Sequence, residues 1–269
     1  MHFDIAIRAS QGARRSQEDC ALTWPPSSSR DDSATLIDLP TAIPGVLAAV
    51  LCDGMGGHAG GALASRLACE HFLPVLVTGE YTVAQRLMDA LDQANAAIAR
   101  HTAASPAHAG MGSTLVGIHA DETGLSWVSV GDSLLYLIRR GELTTLNADH
   151  SLAPEIDKLA ETGKISWAAA RNDPRRHYLR AALTGDEIEM IDLNERTLAL
   201  HDGDILIVAS DGIHTLETEA IAQLVASVDL PEPATIAMRL LAAIEDMDVA
   251  HQDNTTVIAI CVRGADINV

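Results

Sequence analysis

One stretch constrains this chain more than any other: Ala48 to Ser65, AAVLCDGMGGHAGGALAS, where an apolar run ends on an acid, a knot of glycines and a histidine. Ala48 to Cys52 reads as a short buried strand with Asp53 at its end, because a continuous apolar run suits a strand covered on both faces. A carboxylate at the end of a buried strand is costly to leave unpaired and calls for a cation or a donor. Gly54, Gly56, Gly57, Gly60 and Gly61 let the backbone turn sharply and approach a ligand closely. Ala62 to Phe72 then resumes in helix-forming residues, so the unit is strand, acidic glycine-rich turn, helix.

Two chemistries fit such a unit. Gly54, Gly56 and Ala59 match the dinucleotide pattern G-x-G-x-x-A after a strand, with Glu80 farther on. In that reading Asp53 would repel the pyrophosphate, and the other acidic motifs would go unexplained. The second chemistry is a metal site, and two later segments support it. Asp204 to Gly212, DILIVASDG, again runs an apolar strand into Asp-Gly, and Asp253-Asn254 opens the strand Thr255 to Val262. If the last strand lies antiparallel near one of the others, its start is adjacent to their ends, and Asp53, Asp211 and Asp253 converge at one edge. Hard oxygen ligands in that number suit Mg²⁺ or Mn²⁺ better than zinc, which recruits Cys or His. Gly131-Asp132-Ser133 places a fourth Asp at a strand boundary.

The charge balance agrees. Against 37 Asp and Glu stand 18 Lys and Arg, a formal net charge of −19, which argues against nucleic-acid or anionic-membrane partners. The cysteines Cys20, Cys52, Cys69 and Cys261 show no C-x-x-C spacing and read as reduced core residues of a cytoplasmic protein. No signal peptide opens the chain, and no apolar run approaches the roughly 20 residues that cross a bilayer. The Asp motifs span most of the 269 residues, which favours a single domain over 1–269.

Along the chain, His2 to Arg8 alternates as a strand and leads into a turn, Gly12 to Asp19, dense in charges of both signs. Trp24 to Asp38 reads as a surface loop and Ile43 to Cys52 as a strand. Ala62 to Leu76 and Val83 to His101 are predicted helices. Ser113 to His119, Leu125 to Val130 and Leu134 to Arg139 form a β-rich centre. Ile188 to Leu200 and Asp204 to Ala209 return to strands, with helices at Thr218 to Ser227 and Pro233 to Asp246 before the final strand. The irregular stretch about 147–183 carries six of the 18 basic residues between Lys158 and Arg180, and is a candidate substrate-facing flap or else a solvated loop. This order suits two antiparallel sheets flanked by helices.

Taken together, the motifs resemble those of the metal-dependent protein phosphatase family, the type 2C serine/threonine phosphatases, in a compact bacterial form. In order they are Arg14 to Asp19 (RRSQED), Asp53 to Gly61 (DGMGGHAGG), Gly112-Ser113-Thr114, Gly131-Asp132-Ser133, Asp149-His150-Ser151, Ser210-Asp211-Gly212 and Asp253-Asn254-Thr255-Thr256. The resemblance implies an α+β fold, a four-layer α-β-β-α sandwich of two antiparallel sheets flanked by helices, with a binuclear Mn²⁺ or Mg²⁺ centre at one edge. It implies that Asp53, Asp211 and Asp253 hold the metals, Asp53 bridging them. Gly54 would lend its carbonyl, Glu18 would bind the second metal through water, and Asp132 would hold a third, weaker ion together with Asp211. Arg14 matches the arginine that grips the substrate phosphate and His58 the general acid, although a histidine beside a glycine turn also serves as a hydrogen-bonding turn residue.

The implied reaction is hydrolysis of phosphoserine and phosphothreonine by metal-activated water, on a phosphoprotein substrate and in opposition to a serine/threonine kinase, by a monomer that binds neither nucleic acid nor membrane. Three positions depart from the family's pattern: Gln17 stands where Asn is usual, Leu134 where Arg is common, and His177 in place of a frequent Asn in the flap. A phosphoprotein-sensing relative without activity is the other reading within the family. It would be expected to lack a metal Asp, and none is missing here.

Overall fold

A computed structural model describes residues 1–26, 43–56, 59–228 and 231–264. The chain opens with β1 (His2–Ser10), β2 (Asp19–Trp24) and β3 (Leu47–Met55), followed by two long helices, α1 (Ala59–Thr78) and α2 (Val83–Ala104). Next come β4 (Gly112–Ser113), β5 (Leu115–Asp121), β6 (Gly124–Val130), β7 (Leu134–Arg139) and β8 (Glu142–Thr145). The irregular stretch holds α3 (Ala153–Glu161) and α4 (Trp167–Arg171), and β9 (Asp192–Leu193) follows it. The chain continues through β10 (Ile205–Ala209), α5 (Thr218–Ala226), α6 (Pro233–Asp246) and β11 (Thr255–Arg263).

The strands form two antiparallel sheets, one in the order β1-β11-β10-β7-β8 and one in the order β2-β3-β5-β6-β9, with β4 pairing β3. Side-chain alternation assigns the layers. On β3, Ala48, Val50 and Cys52 pack with Phe72 and Leu73 of α1 and Leu87 and Leu91 of α2. The intervening Leu47, Ala49 and Leu51 meet Leu206 and Val208 of β10 and Ile258 and Ile260 of β11 between the sheets. The opposite faces of β10 and β11, through Ile207, Ala209, Val257 and Ala259, pack on Ile221 of α5 and Ile236 and Leu240 of α6. The result is the expected four-layer α-β-β-α sandwich. Both faces of each central strand are covered, which is why these strands read as continuous apolar runs instead of alternating ones.

Each fully buried Leu, Ile or Phe contributes about 1.5–3 kcal/mol by leaving water, and the middle layer draws such residues from both sheets. That layer fixes the two sheet edges relative to each other, and so determines which strand ends share an edge.

Several expected boundaries move. β3 does not end at Cys52: it runs on to Met55, because Gly54 and Met55 pair with Ser113 and Gly112 of β4. Residues 43–46 are not strand, and α1 starts three residues earlier and α2 ends three residues later than expected. Ile188 to Leu200 is strand only at Asp192–Leu193, since its acidic and polar residues leave most positions part-exposed or exposed and only an isolated bridge joins Leu198 to Leu125. The loop expected over Trp24 to Asp38 lies outside the described residues beyond Pro26.

Candidate active site

Asp53 and Asp19 are direct partners across β2 and β3. Leu51 and Ala21, side chains of the middle layer, lie two positions farther in on the same strand faces, so both carboxylates point between the sheets. The other sheet brings its own acids to this edge. β10 pairs antiparallel with β11, Ala209 opposite Val257, so the residues after β10 stand beside those before β11. The approach is close: a Cβ on Gly212 would lie 2.2 Å from the Asn254 carbonyl oxygen, which is why the residue after Asp211 is glycine. Asp211 and Asp253 become neighbours in this way. Asp132, in the turn between β6 and β7, completes the group.

The backbone around these acids is tightly fixed. The Asp53 N–H donates to Thr114 Oγ1 at 3.0 Å, the Asp53 carbonyl accepts from Thr114 N at 2.8 Å and from Ser113 Oγ at 2.9 Å, and Ser133 Oγ reaches Thr114 Oγ1 at 2.8 Å. Gly54 N–H donates to the Glu18 carbonyl at 3.1 Å. A Cβ on Gly54 would meet the Gly61 carbonyl at 2.0 Å, so the glycine cluster lets the start of α1 press against the end of β3. Asn254 clips the two sheets together: its Oδ1 accepts from Glu18 N at 2.8 Å, and its Nδ2 donates to Gln11 O at 2.8 Å and Ser16 O at 3.0 Å.

Electrostatically the edge is out of balance. Burial, together with Asp19, Asp211, Asp132 and Asp253, pushes the Asp53 carboxyl well above the usual carboxylate range. Burial, then Asp211 and Asp149, raises Asp132 to about 7. Burial also raises Asp19 to about 6, against the Ser210 hydroxyl that donates to it at 2.8 Å. Asp211 is raised by burial and by Asp253, eased by His214. Among the described residues, Asp211 Oδ1 and Asp19 Oδ1 are buried with no hydrogen-bond partner. Orphaned buried carboxylate oxygens of this kind, among mutually repelling acids, fit a divalent cation with oxygen ligands. Among the described residues no three His, Cys, Asp or Glu side chains close into a ready-made cage.

Asp53, Asp132, Asp211 and Asp253 line a cleft of about 1040 Å³ with Arg14, Arg15, Ser16, Glu18, Gly54 and Thr114. Arg14 stands in it with its guanidinium paired to Asp253. His58 lies outside the described residues. Of the sequence candidates, then, Arg14, Glu18, Asp53, Gly54, Asp132, Asp211 and Asp253 meet in one cleft. Sequence reasoning passed over Asp19 and Asn254 as individual residues. Asp19 could have been found by parity, since it occupies the same strand face as Ala21 and is opposed by Asp53.

The irregular stretch, read from sequence as either a substrate-facing flap or a solvated loop, holds part of its charge within itself. Arg175 pairs with Asp173 at 2.6 Å, Arg180 with Glu155 at 2.7 Å, and Arg176 with Asp157, so half of its cations bind the flap to itself around a small core of Ile156, Ala160 and Ala170. The flap residues that line the cleft are His177, Tyr178 and Leu179. The departures from the family pattern also find places. Gln17 Oε1 accepts from Asp19 N at 2.9 Å and so supports the turn, and Leu134 is buried in the layer under α5 and α6.

The family model for Protein phosphatase 2C matches residues 27–236. Serine/threonine protein phosphatase PstP of Mycobacterium tuberculosis is 34% identical over 198 residues, covering 71% of this chain and 36% of that protein. The chain thus spans about a third of that relative's length. The crystal structure of the Mycobacterium tuberculosis serine/threonine phosphatase PstP/Ppp superposes with a TM-score of 0.76 at 29% identity, over 98% of this chain and 100% of that one. The catalytic domain of PstP in complex with two manganese ions gives 0.73 at 30% identity, over 97% and 99%. The chain belongs to the protein phosphatase 2C family. The matched span takes in Asp53, Asp132 and Asp211, while Arg14, Glu18 and Asp253 lie outside it and join them only through the fold.

Proposed function

We propose that this chain is a metal-dependent protein serine/threonine phosphatase, working as one catalytic domain over 1–269 with 147–183 as its flap. The observation that carries this reading is the buried acidic edge: Asp211, whose Oδ1 has no hydrogen-bond partner among the described residues, lines a cleft with Arg14. Asp53, Asp211 and Asp253, the Gly54 carbonyl and Glu18 would hold two Mn²⁺ or Mg²⁺ ions, and Asp132 with Asp211 a weaker third. When bound, these ions supply Lewis-acid activation of water and neutralise the phosphoryl charge. Asp19 supports the same cluster from the adjoining strand.

The chain's own residues do the rest. Arg14 leaves Asp253 and takes the non-bridging phosphate oxygens in a bidentate clamp, which orients the ester and counters charge in the transition state. His58 delivers the proton that the departing serine or threonine oxygen needs. Asn254, Thr114 and Gly54 hold the ligand backbones in place, so that little reorganisation accompanies reaction. The substrate is a phosphorylated protein, the reaction opposes a serine/threonine kinase, and the enzyme acts as a cytoplasmic monomer. Among the described residues no helix is long and apolar enough to cross a membrane. The test is hydrolysis of p-nitrophenyl phosphate and of a phosphothreonine peptide with Mn²⁺ and with chelator. Turnover that survives complete chelation would refute the metal-dependent reading.

A further inference from the structure

Three of the four cysteines meet behind the acidic edge. Cys20 and Cys52 are direct partners in the β2–β3 ladder. Cys69 reaches them from α1, where its Sγ donates to the Cys20 carbonyl oxygen at 3.3 Å, and its thiol interacts with both of the others. Parity explains the meeting. Cys20 and Cys52 share the face of Leu22 and Val50 that packs on α1, whereas Asp19 and Asp53, one residue along each strand, face between the sheets. Because the Gly54 N–H bonds to the Glu18 carbonyl at 3.1 Å, alternation makes Cys20 and Cys52 a hydrogen-bonded pair as well. Such pairs have Cα atoms about 5.5 Å apart, inside the roughly 4.4–6.8 Å that a disulfide spans, and their Cβ atoms, about 5.5 Å apart, close by roughly 1 Å when a bridge forms.

Access within the cluster is unequal. Cys52 and Cys69 are fully buried. Cys20 is part-exposed, because β2 is an edge strand. Cys261 is in the core of the other sheet.

We propose that Cys20, Cys52 and Cys69 form a peroxide-oxidisable thiol site that closes a disulfide between Cys20 and either Cys52 or Cys69. In the first step the Cys20 sulfur takes one oxygen from hydrogen peroxide: the S–O bond forms, the O–O bond breaks, sulfur gives up two electrons, and one water leaves. In the second, the neighbouring sulfur attacks Cys20 sulfur: the S–S bond forms, the S–O bond breaks, and the hydroxyl departs as a second water with the attacking thiol's proton. The bridge ties β2 to β3 or to α1 one residue from Asp19 and Asp53, so oxidation weakens cation binding at the acidic edge. This consequence rests on the metal-site reading; the disulfide does not.

The experiment treats the full chain with hydrogen peroxide, then combines intact-mass and peptide mapping with melting curves recorded with and without Mn²⁺. The expected result is a loss of about 2 Da, a mapped link from Cys20 to Cys52 or Cys69, no such loss in Cys20→Ser, and an unaltered response in Cys261→Ser. The Mn²⁺-induced rise in melting temperature should be at least halved in the oxidised parent and unchanged in peroxide-treated Cys20→Ser. An unchanged mass, a gain of oxygen atoms without closure, or closure in Cys20→Ser would each overturn the thiol site. Closure with an undiminished Mn²⁺ shift would overturn the coupling to the edge, and a reduced parent that does not respond to Mn²⁺ would refute the metal reading instead.

Discussion

The guanidinium of Arg14 is paired with the carboxylate of Asp253, a residue 239 positions away in the chain. The turn before β2 and the residue pair before β11 meet because β1 and β11 are neighbours, with Ser10 opposite Thr255. One carboxylate is therefore shared between a side-chain cation and the edge proposed to bind metal. Both partners are partly exposed, so the pair itself contributes little to stability.

Arg14→Ala is accordingly expected to separate two roles. Loss of a charge-assisted clamp worth about 1.5–3 kcal/mol lowers kcat/KM by roughly 10- to 100-fold. The same change releases Asp253, so the Mn²⁺-induced rise in melting temperature should be retained or increased. A variant with parental kinetics would show Arg14 to be a surface residue only.

Asp53→Asn and Asp211→Asn remove charge from the centre of the acidic edge and are each expected to cut Mn²⁺-dependent turnover by at least about 100-fold. In chelator the same variants should melt no lower than the parent, because each removes a buried carboxyl that its neighbours repel. Turnover within a few-fold of the parent would sink the ligand assignment.

Asp253 and Asp132 should differ. A saturating ligand stabilises the folded state by about 2.7 kcal/mol at a hundredfold excess over Kd, and Asp253→Ala is expected to blunt that gain. Asp132→Ala should keep most of the Mn²⁺ shift while losing most of the turnover, since it serves the weaker third site. Melting curves and turnover across a Mn²⁺ titration decide this, and equal loss of the shift in both variants would contradict the division.

In the flap, Arg176→Ala breaks the pair with Asp157 and should speed proteolytic cutting between Lys158 and Arg180. Tyr178→Ala, at an exposed residue lining the cleft, should leave proteolysis unchanged and raise KM several-fold for a phosphothreonine peptide but not for p-nitrophenyl phosphate. Equal effects on the two substrates would remove Tyr178 from peptide recognition.

A pH effect is expected away from the cleft. Burial and the nearby Arg86, opposed by Asp121, hold the His119 imidazole below its usual 6.5. A depressed histidine contributes stability that is present above the unfolded value and is lost as pH falls through the folded one. The parent's melting temperature should therefore drop below pH 6.5 more steeply than that of His119→Gln. Parallel curves would mean that His119 carries none of the acid sensitivity.

Much of this protein is set by local chemistry and was readable from its residues. The runs AAVLC, ILIVA and TTVIAICV become covered central strands because their residues are apolar on both faces, and α6 begins and ends where Pro233 and Asp246 indicated. The acids were legible as a set because each sits where such a run starts or stops. What the residues could not determine is anything that depends on which strand lies beside which. The extension of β3 to Met55 comes from pairing with a two-residue strand some 57 positions later. The inward turn of Asp19 comes from its register opposite Asp53, and the meeting of Cys20, Cys52 and Cys69 from the packing of α1 on that same ladder. Arg176 and Arg180 looked free in the sequence because their acidic partners, Asp157 and Glu155, lie 19 and 25 residues away along the chain and are brought to them by folding. Local propensity acts over a few residues, whereas pairing register and ion pairing act through space, and only the packed middle layer between the two sheets fixes those distances.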